Sequence, residues 1–143
     1  MSIGKIEFSR LEKNIKKTGK SYLEYLAPAI GKVYVMAITR DGCPACANQK
    51  PKMEKLAEDL ESKHKNKALF TQIHVKYSRD SEEESLKSKE VFRHYFYPTN
   101  LILLRTRDRG AFEYYRGVSP RMSELRRNIE DAIEISTHIS KEG

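Results

Sequence analysis

The chain holds two cysteines, and both stand in the stretch TRDGCPACANQKP, residues 39–51, as Cys43 and Cys46. A C-x-x-C spacing at the first turn of a helix puts both side chains on one face. Pro44 suits the first helical position, where its missing N–H leaves nothing unpaired. The free amide N–H groups and aligned peptide dipoles at that end favour an anion. A thiol at Cys43 is therefore expected to be acidified and partly thiolate at neutral pH. Cys46 lies a turn deeper, more buried and less acidic. One exposed thiolate that attacks a disulfide, with a neighbour that resolves the mixed disulfide, is what dithiol exchange requires. On the residues alone two other readings stay open. Cys46 taken singly is a small buried hydrophobe, and the pair can be an inert one. A zinc site needs four ligands, of which one C-x-x-C supplies two. His64, His74, His94 and His138 stand in no paired spacing that would complete it, so no metal and no cofactor is expected.

The elements that must position these thiols are legible on either side. VYVMAI, residues 33–38, is an unbroken apolar run with β-branched members, the pattern of a strand buried on both faces. The turn RDGCP follows, and a helix is expected from Pro44 to about His64, with Cys46, Met53, Leu56 and Leu60 at helical spacing and Pro51 interrupting its hydrogen bonds. ALFTQIHVKY, residues 68–77, reads as a second strand with Leu69, Ile73 and Val75 in the core. Ser81 and Glu84 form a capping-box pattern that opens a helix reaching about Tyr95. LILLRT, from Leu101, is a third strand. RDRG then marks a turn, and AFEYYR pairs back as a hairpin. Ser119 and Pro120 open a last helix with Met122, Leu125, Ile129, Ala132 and Ile133 inward. Ahead of all this, KIEF is a short strand. Ser9 is placed to cap a helix to about Leu26, which Gly19 divides. Alternating strands and helices demand parallel crossovers, and the closing hairpin is antiparallel, so a mixed central sheet with helices on both faces is expected.

Composition narrows the class. A chain of 143 residues with 33% charged and 38% hydrophobic residues is a single globular domain with a highly charged surface. No apolar run is long enough to cross a bilayer, and the N-terminus lacks the apolar segment of a secretory signal. A cytoplasmic protein with no membrane partner is expected. The net charge is +7, much of the excess lying in the first 32 residues and in KHKNK, Lys63 to Lys67. Since no nucleic-acid-binding motif accompanies the charge, it is read as solvated helix faces with no nucleic acid partner.

The succession VYVMAI, DGCPACANQKP, ALFTQIHV, YFYPTNLILL, the hairpin ending in YYRG, and a final amphipathic helix resembles the thioredoxin-like superfamily of protein disulfide oxidoreductases. The resemblance spans residues 33–135. Residues 1–32 add the leading strand and helix common in that family, so that 1–143 form one domain. It implies an α/β thioredoxin fold, a central mixed sheet of four to five strands flanked by helices. Pro51 matches the proline within the family's active-site helix, Gly117 its glycine after the hairpin strand, and Pro98 its cis-proline. By that resemblance Tyr97 and Pro98 present backbone on which a substrate chain pairs like an added strand, with Gly42, Pro44 and Ala45 completing the substrate-binding surface.

The chain also departs from the pattern. Gly42 stands where thioredoxins have tryptophan, and Pro44-Ala45 where they have Gly-Pro. Cys-Pro-x-Cys is more similar to glutaredoxins and some disulfide-forming enzymes, although the glutathione-gripping features of glutaredoxins are not evident. The family's buried acid and its lysine partner are replaced by Ala37 and His74. His74 is a candidate proton acceptor for Cys46, set against the alternative of a hydrogen-bonded strand histidine. The segment 77–89 is longer than thioredoxins need.

The expected function is thiol–disulfide exchange with protein disulfide substrates. Cys43 is the nucleophile and Cys46 the resolving thiol, and an unidentified reductase or thiol supplies the electrons. With no histidine between the cysteines, Cys43 is expected to be moderately acidic and the activity reductase-like. The rival readings are a non-catalytic adaptor on the same fold, docking through its basic N-terminal helix, and a structural metal shared between two subunits.

Overall fold

A computed structural model describes residues 3–141 of the chain. Strand β2 (Val33–Arg40) lies at the centre of a five-stranded sheet of order β1-β3-β2-β4-β5. It pairs in parallel with β3 (Ala68–Val75) over its whole length, and antiparallel with β4 (Thr99–Arg105) from Tyr34 to Ile38. β1 (Gly4–Glu7) adds in parallel to β3, while β5 (Ala111–Val118) closes a hairpin on β4.

Both faces of β2 are buried, and its pleat sorts side chains into two cores. Val33, Val35 and Ala37 face α3 (Pro44–Lys63) and α5 (Met122–Lys141), packing with Leu56, Leu60, Leu125 and Ile129. Tyr34, Met36 and Ile38 face α1 (Phe8–Thr18), α2 (Tyr22–Leu26) and α4 (Glu83–Phe92), packing with Phe8, Leu11, Leu26 and Phe92. Phe92 anchors the second core, its ring 4.7 Å from Tyr22 and 6.0 Å from Phe8. Among the described residues no helix is long and apolar enough to cross a membrane.

The first helix breaks at Gly19, as expected, where φ is a left-handed 69°, and Ser21 caps the second piece by accepting from the Leu23 N–H. Other local expectations change. Ser9 caps nothing, because the helix starts at Phe8 and the carboxylate of Glu7 in the cap position is bound to His74. The Ser81–Glu84 capping box does not form. Ser81 pairs with Ser78, and Glu84 accepts from the Lys76 N–H at the end of β3. Helix α4 stops at Phe92, short of Tyr95, because Arg93 turns left-handed and Arg116 of β5 donates to the carbonyls of Phe92 and Arg93. Leu69 is 38% exposed rather than core, since β1 reaches back along β3 only to Thr71. Accordingly Phe92→Ala is expected to cost about 3–5 kcal/mol in urea unfolding. Leu69→Ala should cost about 1 kcal/mol or less.

Candidate functional site

The site grows from the carboxyl end of β2, the position at which open α/β sheets place ligands. After Arg40 the chain turns through Asp41 and Gly42, whose φ of 65° is left-handed and suits glycine. Cys43 is the N-cap of α3, extended at φ −102° and ψ 105°, and Pro44 opens the helix. The Cys46 N–H points at Cys43 Sγ from 3.1 Å. A helix-start amide that would otherwise lack a partner is thereby spent on the sulfur. Cys43 and Cys46 form a disulfide, with Cα atoms 5.2 Å apart. Cys43 is half-buried, Pro44 and Ala45 are exposed, and Cys46 is buried at 8%.

The second wall is the loop before β4. The Tyr97–Pro98 peptide bond is cis, and the Tyr97 carbonyl oxygen lies 3.8 Å from Cys43 Sγ. Neither the N–H nor the C=O of Tyr97 has a backbone partner among the described residues. The side chain is held by its hydroxyl at 3.0 Å from Ser85 Oγ and by edge contact with the His94 ring, 4.8 Å away. His94 braces the loop from inside. It is 3% exposed, accepts from Ser88 at Nε2 over 2.9 Å, and donates from Nδ1 to the Phe96 carbonyl over 3.2 Å. Burial pushes its pKa down to about 4, so it is a neutral ring at physiological pH.

His74 lies elsewhere than a free base would. Its Nδ1 is 2.7 Å from Glu7 Oε1 and its Nε2 is 2.7 Å from Asp41 Oδ1. Burial alone lowers its pKa, but the two carboxylate hydrogen bonds outweigh it and raise it above the ordinary histidine value. The same bonds hold the Glu7 and Asp41 carboxyls below theirs. With both nitrogens donating, the ring offers no lone pair to a thiol. What the clamp does is tie β1 and β3 to the turn that carries Cys43.

Two cavities flank the disulfide. One, of about 810 Å³, runs between β2, β3 and α3 and is lined by both cysteines, Ala37, Thr39, Gln49 and Phe70. The other, of about 330 Å³, lies beside Cys43 among Arg40, Tyr77, Ser85, Lys89 and Phe96. Between α3 and β4 a buried amide pair closes the centre. Gln49 Nε2 donates to Asn100 Oδ1 and Asn100 Nδ2 to Gln49 Oε1, each over 2.9 Å. Asn100 stands opposite Ala37 in the sheet, so a neutral pair lies beside the position where the resemblance leads one to expect a buried acid. Sequence reasoning did not single out His94, Ser88 or this pair. Gln49 had a signal, being a polar residue on the buried stripe of Cys46, Met53 and Leu56. His94 had none, since nothing periodic marks it. Among the described residues no group of three or more His, Cys, Asp or Glu is placed to hold a metal ion.

Strand order, helices on both faces and a C-x-x-C disulfide at the start of α3 together define a thioredoxin fold. Solved structures agree. The thioredoxin of Fasciola hepatica is 18% identical, with a TM-score of 0.56 over 90% of this chain and 98% of that one. The Trx4 domain of ERdj5 is 13% identical, with a TM-score of 0.62 over 94% and 98%. The thioredoxin of Trypanosoma brucei brucei is 16% identical, with a TM-score of 0.60 over 93% and 92%. No protein-family model and no curated sequence matches the chain.

Two stability measurements probe this framework. Gln49→Leu leaves the Asn100 amide buried without a partner and is expected to cost about 1–3 kcal/mol in chemical denaturation. His94 makes stability pH-dependent. Its folded pKa is near 4, whereas in the unfolded chain it titrates near 6.5. As pH falls below about 6.5 the unfolded state gains a proton that the native state refuses, so stability drops, by about 2 kcal/mol from pH 7 to 5. The His74 clamp acts in the other direction, its contribution being complete below about 6.5 and lost as pH rises through the raised pKa. His94→Gln should therefore flatten the acid limb while leaving the alkaline one.

Proposed function

We propose that the chain is a thiol–disulfide oxidoreductase acting on protein disulfides, with reduction as its working direction. The observation that carries this reading is the placement of Cys43 Sγ, half-exposed at the start of α3, with a helix amide at 3.1 Å and the unpaired Tyr97 carbonyl at 3.8 Å. A nucleophilic sulfur thus adjoins backbone with which an extended substrate segment can pair.

In the reduced protein the Cys43 thiolate attacks one sulfur of a substrate disulfide. A Cys43–substrate bond forms, the substrate S–S bond breaks, and the other substrate sulfur leaves as a thiolate that takes a proton from solvent. Cys46, having lost its own proton, then attacks Cys43 Sγ. The Cys43–Cys46 disulfide forms and the second substrate thiolate departs. The substrate gains two electrons, which a second thiol or a reductase must return to the protein. Tyr97 and Pro98 position the substrate backbone, and Gly42, Pro44 and Ala45 leave the approach uncovered. No proton transfer is assigned to His74, because Glu7 and Asp41 occupy both of its nitrogens.

Insulin reduction with dithiothreitol tests the reading. Cys43→Ser is expected to fall to the uncatalysed rate, and Cys46→Ser should accumulate mixed disulfides, visible as adducts on non-reducing gels. Turnover unaffected by Cys43→Ser would leave a binding module on a thioredoxin fold. Alkylation of Cys43 against pH should give an apparent pKa below the ordinary cysteine range.

A further inference from the structure

The Cys43 sulfur has an open side. Gly42 carries no side chain, and a Cβ placed there would meet nothing nearer than Arg40 Nη1 at 3.9 Å. Gly42 lines the larger cavity, whereas Cys43 also lines the pocket of about 330 Å³ between Arg40, α4 and the loop before Pro98. Its rim is apolar and solvent-facing, with Leu86 60%, Phe96 65% and Tyr95 80% exposed. Inside the rim stand two cations. The Arg40 guanidinium lies 4.1 Å from the Tyr77 ring centre and 5.8 Å from that of Tyr97, and Lys89 Nζ is 6.0 Å from the Tyr97 ring. Neither makes an ion pair among the described residues. Arg40 donates from Nη1 to the Asp41 carbonyl over 2.7 Å, which leaves most of its donors for a ligand. The pocket's own carboxylate, Glu82, is engaged by the Tyr77 hydroxyl at 3.3 Å.

We propose that this pocket is a specificity subsite for a carboxylate side chain, so that the favoured protein substrates carry Asp or Glu, with an apolar neighbour, within two residues of the reacting cysteine. The inference rests on the oxidoreductase reading above and names the substrate class of that site. Geometry and charge agree. A segment extended along the Tyr97 backbone places its next side chain on the same side about 7 Å further on. Aromatic faces hold the Arg40 guanidinium in place before any ligand arrives, so less side-chain freedom is lost on binding. The surrounding apolar rim takes the neighbouring residue out of water.

The test uses the reduced full-length protein and three peptides. Each has one cysteine held as a disulfide with 2-thiopyridine, and they differ only in the second residue from that cysteine, Glu, Gln or Lys. The Cys43 thiolate displaces 2-thiopyridone, which is followed by absorbance. The Glu peptide is expected to react about three- to tenfold faster than the Lys peptide at low salt, with Gln between them. The ratio should shrink at about 1 M salt and fall towards one in the Arg40→Gln, Lys89→Gln double variant. Lys17→Gln with Lys65→Gln removes the same charge elsewhere and should keep most of the ratio. Equal rates for the three peptides, or a ratio that survives loss of Arg40 and Lys89, overturns the proposal. So does a ratio that collapses as fully in the remote pair, which would assign the effect to net charge. Failure of every peptide to react would instead remove the exchange activity itself, and the subsite with it.

Discussion

A central strand must keep its side chains dry on both sides and its amides paired along both edges, and β2 carries that constraint in this chain. Val33 to Ile38 are all buried, with neighbours at both edges of the strand. The carboxyl end of such a strand is the place where the backbone leaves the sheet, and the chain there passes directly into α3. Cys43 stands at that junction. Its sulfur meets an amide that the helix cannot use internally, so strand burial and helix geometry converge on one atom.

The polar groups around this junction are arranged by charge. On the side of β1, His74 lies between Glu7 and Asp41, a charged clamp at the rim where water can screen it. Towards the interior the polar groups are neutral. The Gln49–Asn100 pair satisfies itself, and His94 is kept uncharged between Ser88 and the Phe96 carbonyl. Burying a charge at either place would require a partner that the fold does not provide. Neutral amides and a neutral ring supply hydrogen-bonding direction without that cost, and they bind α3 and α4 to the strand and loop that complete the site.

The two flanks of the disulfide differ. The larger cavity, lined by Ala37, Gly42 and both cysteines, lies between sheet and helix. The smaller, lined by Cys43 but not by Cys46, lies beside Arg40 and Lys89.

Much of this was legible along the chain. The apolar run 33–38, the C-x-x-C with Pro44 and the closing hairpin are local patterns whose period or spacing follows from backbone geometry, and they specified element order and the position of both sulfurs. Gly19 as a helix break was equally local. The capping box at Ser81 and Glu84 was legible too, yet it does not form, because Glu84 finds the Lys76 amide instead. Leu69 looked like core and is half out, because the edge strand that would shelter it begins two residues later. Which strand lies beside which, that Tyr97 faces Cys43, that His74 is taken by Glu7 and Asp41, and that Gln49 meets Asn100 were decided only in three dimensions. Hydrophobic periodicity reports which way a side chain points relative to its own element. A hydrogen bond between groups thirty or more residues apart leaves no trace in either segment alone, since its partner is set by how the elements pack.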